Sequence, residues 1–159
     1  MYEFSETVMM ILSQSKWTQD RCVSIDKYEA YFWATQQPYS QVVLEFLSSF
    51  AGIEISRPSR LSPKSLFFCA IDPIESYQRL GGERVKYYSE NWLHKPLCAI
   101  AHYGDYDHSE ILMAVTGESY SVFDTWVVKL GDTVSDLIET LCLQKGGERI
   151  MQEKKKESE

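Results

Sequence analysis

The sequence contains no run of about 18 apolar residues, the length that a membrane-spanning helix requires. Its first sixteen residues, MYEFSETVMMILSQSK, carry Glu3 and Glu6 where a secretory leader has basic residues. They also lack a small-residue cleavage site, so no leader is expected. Cysteine is sparse and scattered: Cys22, Cys69, Cys98 and Cys142 form no C-x-x-C pair. Three of them sit in apolar company (FFCAI, PLCAI, TLCL) and read as buried free thiols, which fits a reducing cytoplasm. There is no G-x-G-x-x-G, no G-x-x-x-x-G-K-[ST], no H-E-x-x-H and no G-x-S-x-G, and no internal repeat. The glycine pairs in LGGER (80–84) and KGGER (145–149) read as helix breaks rather than phosphate cradles. Positive charge is short as well. Against 23 Asp and Glu stand 16 Lys and Arg, which gives a net charge of −7 and a pI near 5.0. Such a surface opposes the phosphate attraction behind nucleic-acid binding and favours a basic partner.

What is present is an ordinary globular chain. At 159 residues, 44% apolar and 25% charged, it is long enough to bury one core without disulfides or metal. Ser5 followed by ETVMMILSQS predicts a helix with Val8, Ile11 and Leu12 inward. SIDKYEAYFWATQQ predicts a second, capped by Ser24 or Asp26 and ended before Pro38. SQVVLEFLSSFAG predicts a third, with Ser40 as cap, Val43, Phe46, Leu47 and Phe50 as its apolar stripe, and Gly52 in the left-handed position after it. Beyond Gly52 the period changes, and IEIS and SLFFCAI read as a hairpin with a long connection. Asp72-Pro73 opens another helix, Gly81-Gly82 interrupts it, and ERVKYYSENWL resumes it. LCAIAHY, EILMAV, SYSVF and WVVKL then read as strands, with a tight turn at Gly117. A last helix, capped by Asp132 and ended by Gly146, follows. The expected fold is α+β: a single domain over 1–147, its mainly antiparallel or mixed sheet packed by N-terminal helices and a C-terminal helix. Residues 148–159 hold four acids and four bases and read as a charged, disordered or frayed tail, so the net −7 belongs to the domain.

The stretch HYGDYDHSE (102–110) concentrates two of the three histidines. His102, Asp105, Asp107, His108 and Glu110 offer nitrogen and oxygen ligands, but their spacing matches no established metal site or calcium loop. The bland reading is an acidic loop between two strands. The expectation is accordingly no metal, no cofactor and no catalytic residue, since a Ser/His/acid set can be assembled from any chain this rich in serine. A hydrolase built on the His/Asp loop remains the enzyme alternative. His94 reads as a cation near a helix end. Ten tyrosines and four tryptophans exceed what such a core needs, and these residues anchor protein interfaces. Phe46, Phe50, Trp92 and Trp126 are assigned to the core. Tyr103, Asp105, Tyr106, Asp107 and Glu110 are the candidate partner-binding residues, with core and surface readings of Tyr106 both open.

The order of segments has a counterpart. Trp17 with Arg21, then VVLEFLSSFAGIEI and FFCAIDP, resembles the SUKH superfamily, in the group of short bacterial immunity proteins that forms its third division. The likeness extends through Asp72-Pro73, the segment 96–104 and the ending EILMAVTGESYSVFDTWVVKLGDTVSDLIETL, over roughly 16–147. The sequence has Ala51 where that pattern places a first glycine. The resemblance implies a non-catalytic cytoplasmic protein that binds and neutralises a cognate protein toxin, often a nuclease. A binding or regulatory scaffold of the same fold, with a non-toxin partner, is the alternative it leaves. Oligomeric state is not implied.

Overall fold

The computed structural model describes residues 2–104 and 109–152. Among these are α1 (Glu6–Gln14), α2 (Asp26–Thr35), α3 (Gln41–Phe50), β1 (Glu54–Pro58), β2 (Leu66–Ala70), α4 (Pro73–Leu80) and α5 (Gly82–Tyr87). A π-helical segment, Tyr88–Leu93, continues α5. Then come β3 (Leu97–Gly104), β4 (Ser109–Ala114), β5 (Ser119–Phe123), β6 (Trp126–Gly131), α6 (Val134–Leu143) and β7 (Glu148–Ile150). The seven strands form one antiparallel sheet in sequential order, which makes the chain the α+β domain expected.

Both faces of the sheet are covered. Successive strand residues point to opposite sides, so Cys98, Ile100, Ile111 and Met113 join a core built by α1, α3, α6 and the inner face of α2. Leu97, Ala99, Leu112 and Ala114 join a second core with Val85, Tyr88, Trp92 and Leu93. Double burial explains why β3 and β4 read as continuous apolar runs rather than an alternation. At the centre of the larger core Trp17 stacks on Phe50, centroids 5.3 Å apart, and the Trp17 indole donates to Ser49 Oγ at 3.1 Å. Arg21 donates to the Ser49 and Ala51 carbonyls at 2.7 and 2.6 Å, tying the segment before α2 to the end of α3.

Several local expectations hold. Ser5, Ser40 and Asp72 cap their helices through the side chain, and Pro73 takes the first helical turn. Gly52 has φ +87°, the left-handed geometry that glycine tolerates best. Others need correction. Neither Ser24 nor Asp26 caps α2, which starts after Ile25 without a side-chain cap. The cap of α6 is Thr133, not Asp132: Thr133 Oγ1 accepts from Asp136 N while the Asp136 carboxylate accepts from Thr133 N. That reciprocal pair satisfies two orphan donors, and a cap at 132 offers no such box. The helix ends at Gln144 in the left-handed conformation, two residues before Gly146. Trp126 is half exposed at the β5–β6 hairpin rather than in the core, with the Arg149 guanidinium 3.8 Å from its ring centroid. Glu148–Ile150, the first residues of the stretch read as a tail, pair with β6 as its outer neighbour. Gly147 permits this approach, because a Cβ there would collide with the Lys129 carbonyl.

Candidate functional site

The strand register decides the fate of the conspicuous 102–110 stretch. His102 pairs with Glu110 across β3 and β4, and Tyr103 pairs with Ser109. Glu110 lies two residues before Leu112 and four before Ala114, so it shares their face and points under α4 and α5. It is 2% exposed and His102 is 6% exposed. Tyr103 points to the opposite face, where it is half-buried beside Phe67 and donates to Ser121 Oγ at 3.0 Å. Tyr103 and Glu110 therefore do not share a surface. Asp105, Tyr106, Asp107 and His108 lie outside the described residues.

What meets His102 and Glu110 comes from α4, which sequence reasoning did not connect to them. The Asp72 cap and Pro73 fix the start of this helix, and its inward turn places Ser76 against the sheet. Ser76 Oγ lies 2.8 Å from the Ala101 carbonyl and 3.0 Å from Glu110 Oε2. Glu75 Oε2 lies 3.2 Å from His102 Nε2, close enough for an ion pair, although the ring N–H is poorly aligned for a hydrogen bond. One turn on, Arg79 pairs with Glu75 at 3.2 Å. The contact with His102, with Arg79 assisting, holds the Glu75 carboxyl below its ordinary value despite the opposing effect of burial. Glu110 goes the other way. Burial pushes its carboxyl up to about 7, against the Ser76 hydrogen bond and the charge of Arg79.

The Ser76 contacts fit that shift. One hydroxyl carries one hydrogen and cannot donate to both acceptors. A neutral Glu110 removes the conflict: it donates to Ser76 Oγ, and Ser76 donates to Ala101. From Glu110 outward the cluster opens into a cavity of about 590 Å³ walled by Arg79, Arg84, Val122, Phe123 and Asp124. Arg84 is positioned there by Tyr88, whose hydroxyl accepts from its guanidinium at 3.0 Å and donates to the Asp124 carbonyl at 2.6 Å.

As chemistry this is an inward-facing polar knot. Ser76 is fully buried and committed to its neighbours, so it has no open side from which to attack a substrate. Among the described residues, no group of three His, Cys, Asp or Glu is arranged to hold a metal ion. Burial pushes the Cys98 and Cys142 thiols up to about 12 and Cys69 higher still, so these are packed thiols rather than nucleophiles. His94 caps the π-helical segment in the left-handed conformation, exposed at the helix end where the sequence places it. No helix among the described residues is long and apolar enough to cross a membrane.

A search of curated proteins and a search of solved structures each returned no match. A family model does match, that of the SUKH-3 immunity proteins, over residues 4–144. The matched span takes in α1 through α6 and six of the seven strands, including the α4 knot and the β3–β4 hairpin. On that match the chain belongs to the SUKH-3 immunity protein family.

Proposed function

We propose that this protein is a non-catalytic immunity protein that binds a cognate polymorphic toxin, basic in character and of the nuclease kind, and neutralises it in the cytoplasm of the producing bacterium. The observation that carries the reading is the family match over nearly the whole described fold. Charge supports it. A nuclease must hold phosphates and is basic for that reason, and a chain of net charge −7 gains encounter rate and specificity against such a partner. The inward-facing Ser76, His102 and Glu110 fit a role that needs binding and no turnover. Stable inhibition calls for roughly 800 Å² of buried surface per partner with a few aromatic or charged anchors.

Co-expression with the toxin domain encoded beside this chain, scored for growth and for co-purification, tests the proposal. Restored growth together with a stoichiometric complex is the expected result. A toxin that still kills, with no complex recovered, would leave the family assignment standing and turn the function toward a scaffold with a different partner.

A further inference from the structure

Tryptophan is rarely left in water, because its ring is among the largest apolar payloads a fold can bury. Trp33 on α2 is nevertheless 74% exposed, more than any other aromatic among the described residues. It stands between Ala30 and Ala34, both exposed and too small to cover it. Asp26, Glu29, Ala30, Trp33 and Ala34 follow helical spacing along one face and line a shallow concavity of about 670 Å³. Asp26 also borders the neighbouring concavity of about 620 Å³, which includes Tyr2, Leu44 and Glu45. The two depressions thus join into one surface carrying three carboxylates and an uncovered indole.

That surface is unbalanced in charge. Among the described residues neither Asp26, Glu29 nor Glu45 is in an ion pair, and Glu45 has only a 3.4 Å contact from Gln41. Arg21, which borders the second concavity, is bound to the Ser49 and Ala51 carbonyls, and Lys27, next to Asp26 in sequence, lies 5.0 Å from the Tyr28 ring centroid. Tyr39 stacks on Phe32, centroids 5.5 Å apart, and burial, with the Glu29 carboxylate nearby, pushes its hydroxyl up. Helix stability accounts for the acids in part, since Asp26 and Glu29 lie in the first turn. It does not account for Trp33, which joins neither core and would be better replaced by alanine for helix propensity.

We infer that this α2 face, centred on Trp33, is the surface on which the basic partner docks, an arginine or lysine of that partner lying over the indole and pairing with Asp26 and Glu29. The inference rests on the immunity reading above and names its contact surface. A cation over a tryptophan flanked by carboxylates is favourable, and more so once water is excluded. Anchors of this type carry a disproportionate share of binding energy.

The test uses the full chain and the toxin domain encoded beside it, with binding constants at two salt concentrations read alongside growth protection. Trp33→Ala is expected to weaken binding at least about 30-fold and to leave the melting temperature unchanged. Asp26→Asn with Glu29→Gln is expected to slow association severalfold and flatten its salt dependence. Met10→Ala, an equally safe exposed change on α1, is expected to alter neither. A wild type that binds and protects, with Trp33→Ala binding within twofold of it, overturns the α2 surface and leaves the function standing. A wild type that neither binds nor protects overturns both.

Discussion

Glu110 lies near the start of a strand that both cores claim, and a neutral carboxyl is what its surroundings accommodate. Its folded-state value, about 7, is raised above the ordinary value of 4.5. Its contribution to stability is therefore complete below about 4.5 and is lost as pH rises through 7. We predict that wild-type stability falls across this window by an amount on the order of 2 kcal/mol. In Glu110→Gln the amide donates to Ser76 Oγ as the protonated acid does, and the fall should disappear. Urea midpoints from pH 4.5 to 8.5 measure it, and parallel curves for the two proteins would refute a buried neutral acid. Glu75 has the opposite sign, its carboxyl lowered by His102, so its contribution is present above the ordinary value and lost toward acid. Burial of Glu110 was legible in principle, because period two places it with Leu112 and Ala114. The eye is drawn instead to the polar neighbours 102–108, and nothing in the sequence says that Ser76, 34 residues away, waits beneath it. Trp126 shows the reverse error. An aromatic in a strand suggests core, but it pairs with Phe123 at the end of a hairpin, where the covering helices do not reach.

At the scale of the element, start signals that stand before strongly periodic runs are legible, whereas those of α2 and α6 are not. Ser5, Ser40 and Asp72 stand before strongly periodic runs, and side-chain capping there needs no tertiary information. The last helix offered Asp132 and Thr133 in succession, two good caps, and only the reciprocal bond to Asp136 decides between them. The contrast is measurable. Thr133→Ala should destabilise the fold by about 1 kcal/mol. Asp132→Ala removes only an exposed pair with Lys129 and should change stability by less than about 0.5 kcal/mol. Equal losses from the two variants, in chemical denaturation at neutral pH, would return the cap to Asp132. The π-helical segment after α5 was not legible at all: YYSENWL has ordinary helical composition, and only the structure shows the widened turn, whose Tyr88, Trp92 and Leu93 are buried in the second core. The strand β7 was hidden for a related reason. It is three residues long and charged, and only its pairing with Val127, Val128 and Lys129 makes it a strand.

For the whole molecule, β7 separates two properties that the sequence runs together, charge and closure of the sheet. Residues 148–159 hold four acids and four bases, so removing them leaves the net charge at −7. Long-range attraction to a basic partner depends on that total and its distribution over the domain. Removing the same residues strips the outer neighbour from β6, whose N–H and C=O groups then form an open edge beside exposed Trp126 and Phe123. Open apolar edges recruit other chains. A chain ending at Gly147 should consequently melt several degrees lower and self-associate on a sizing column. One ending at Gln152 should match the 159-residue chain in both respects. Association rates with the toxin domain, measured on the monomeric fraction, should stay within twofold for all three chains, because the field that steers the encounter is unchanged. Loss of association in step with loss of β7 would place the strand itself in the interface and shift the contact surface from the helical layer to the sheet edge.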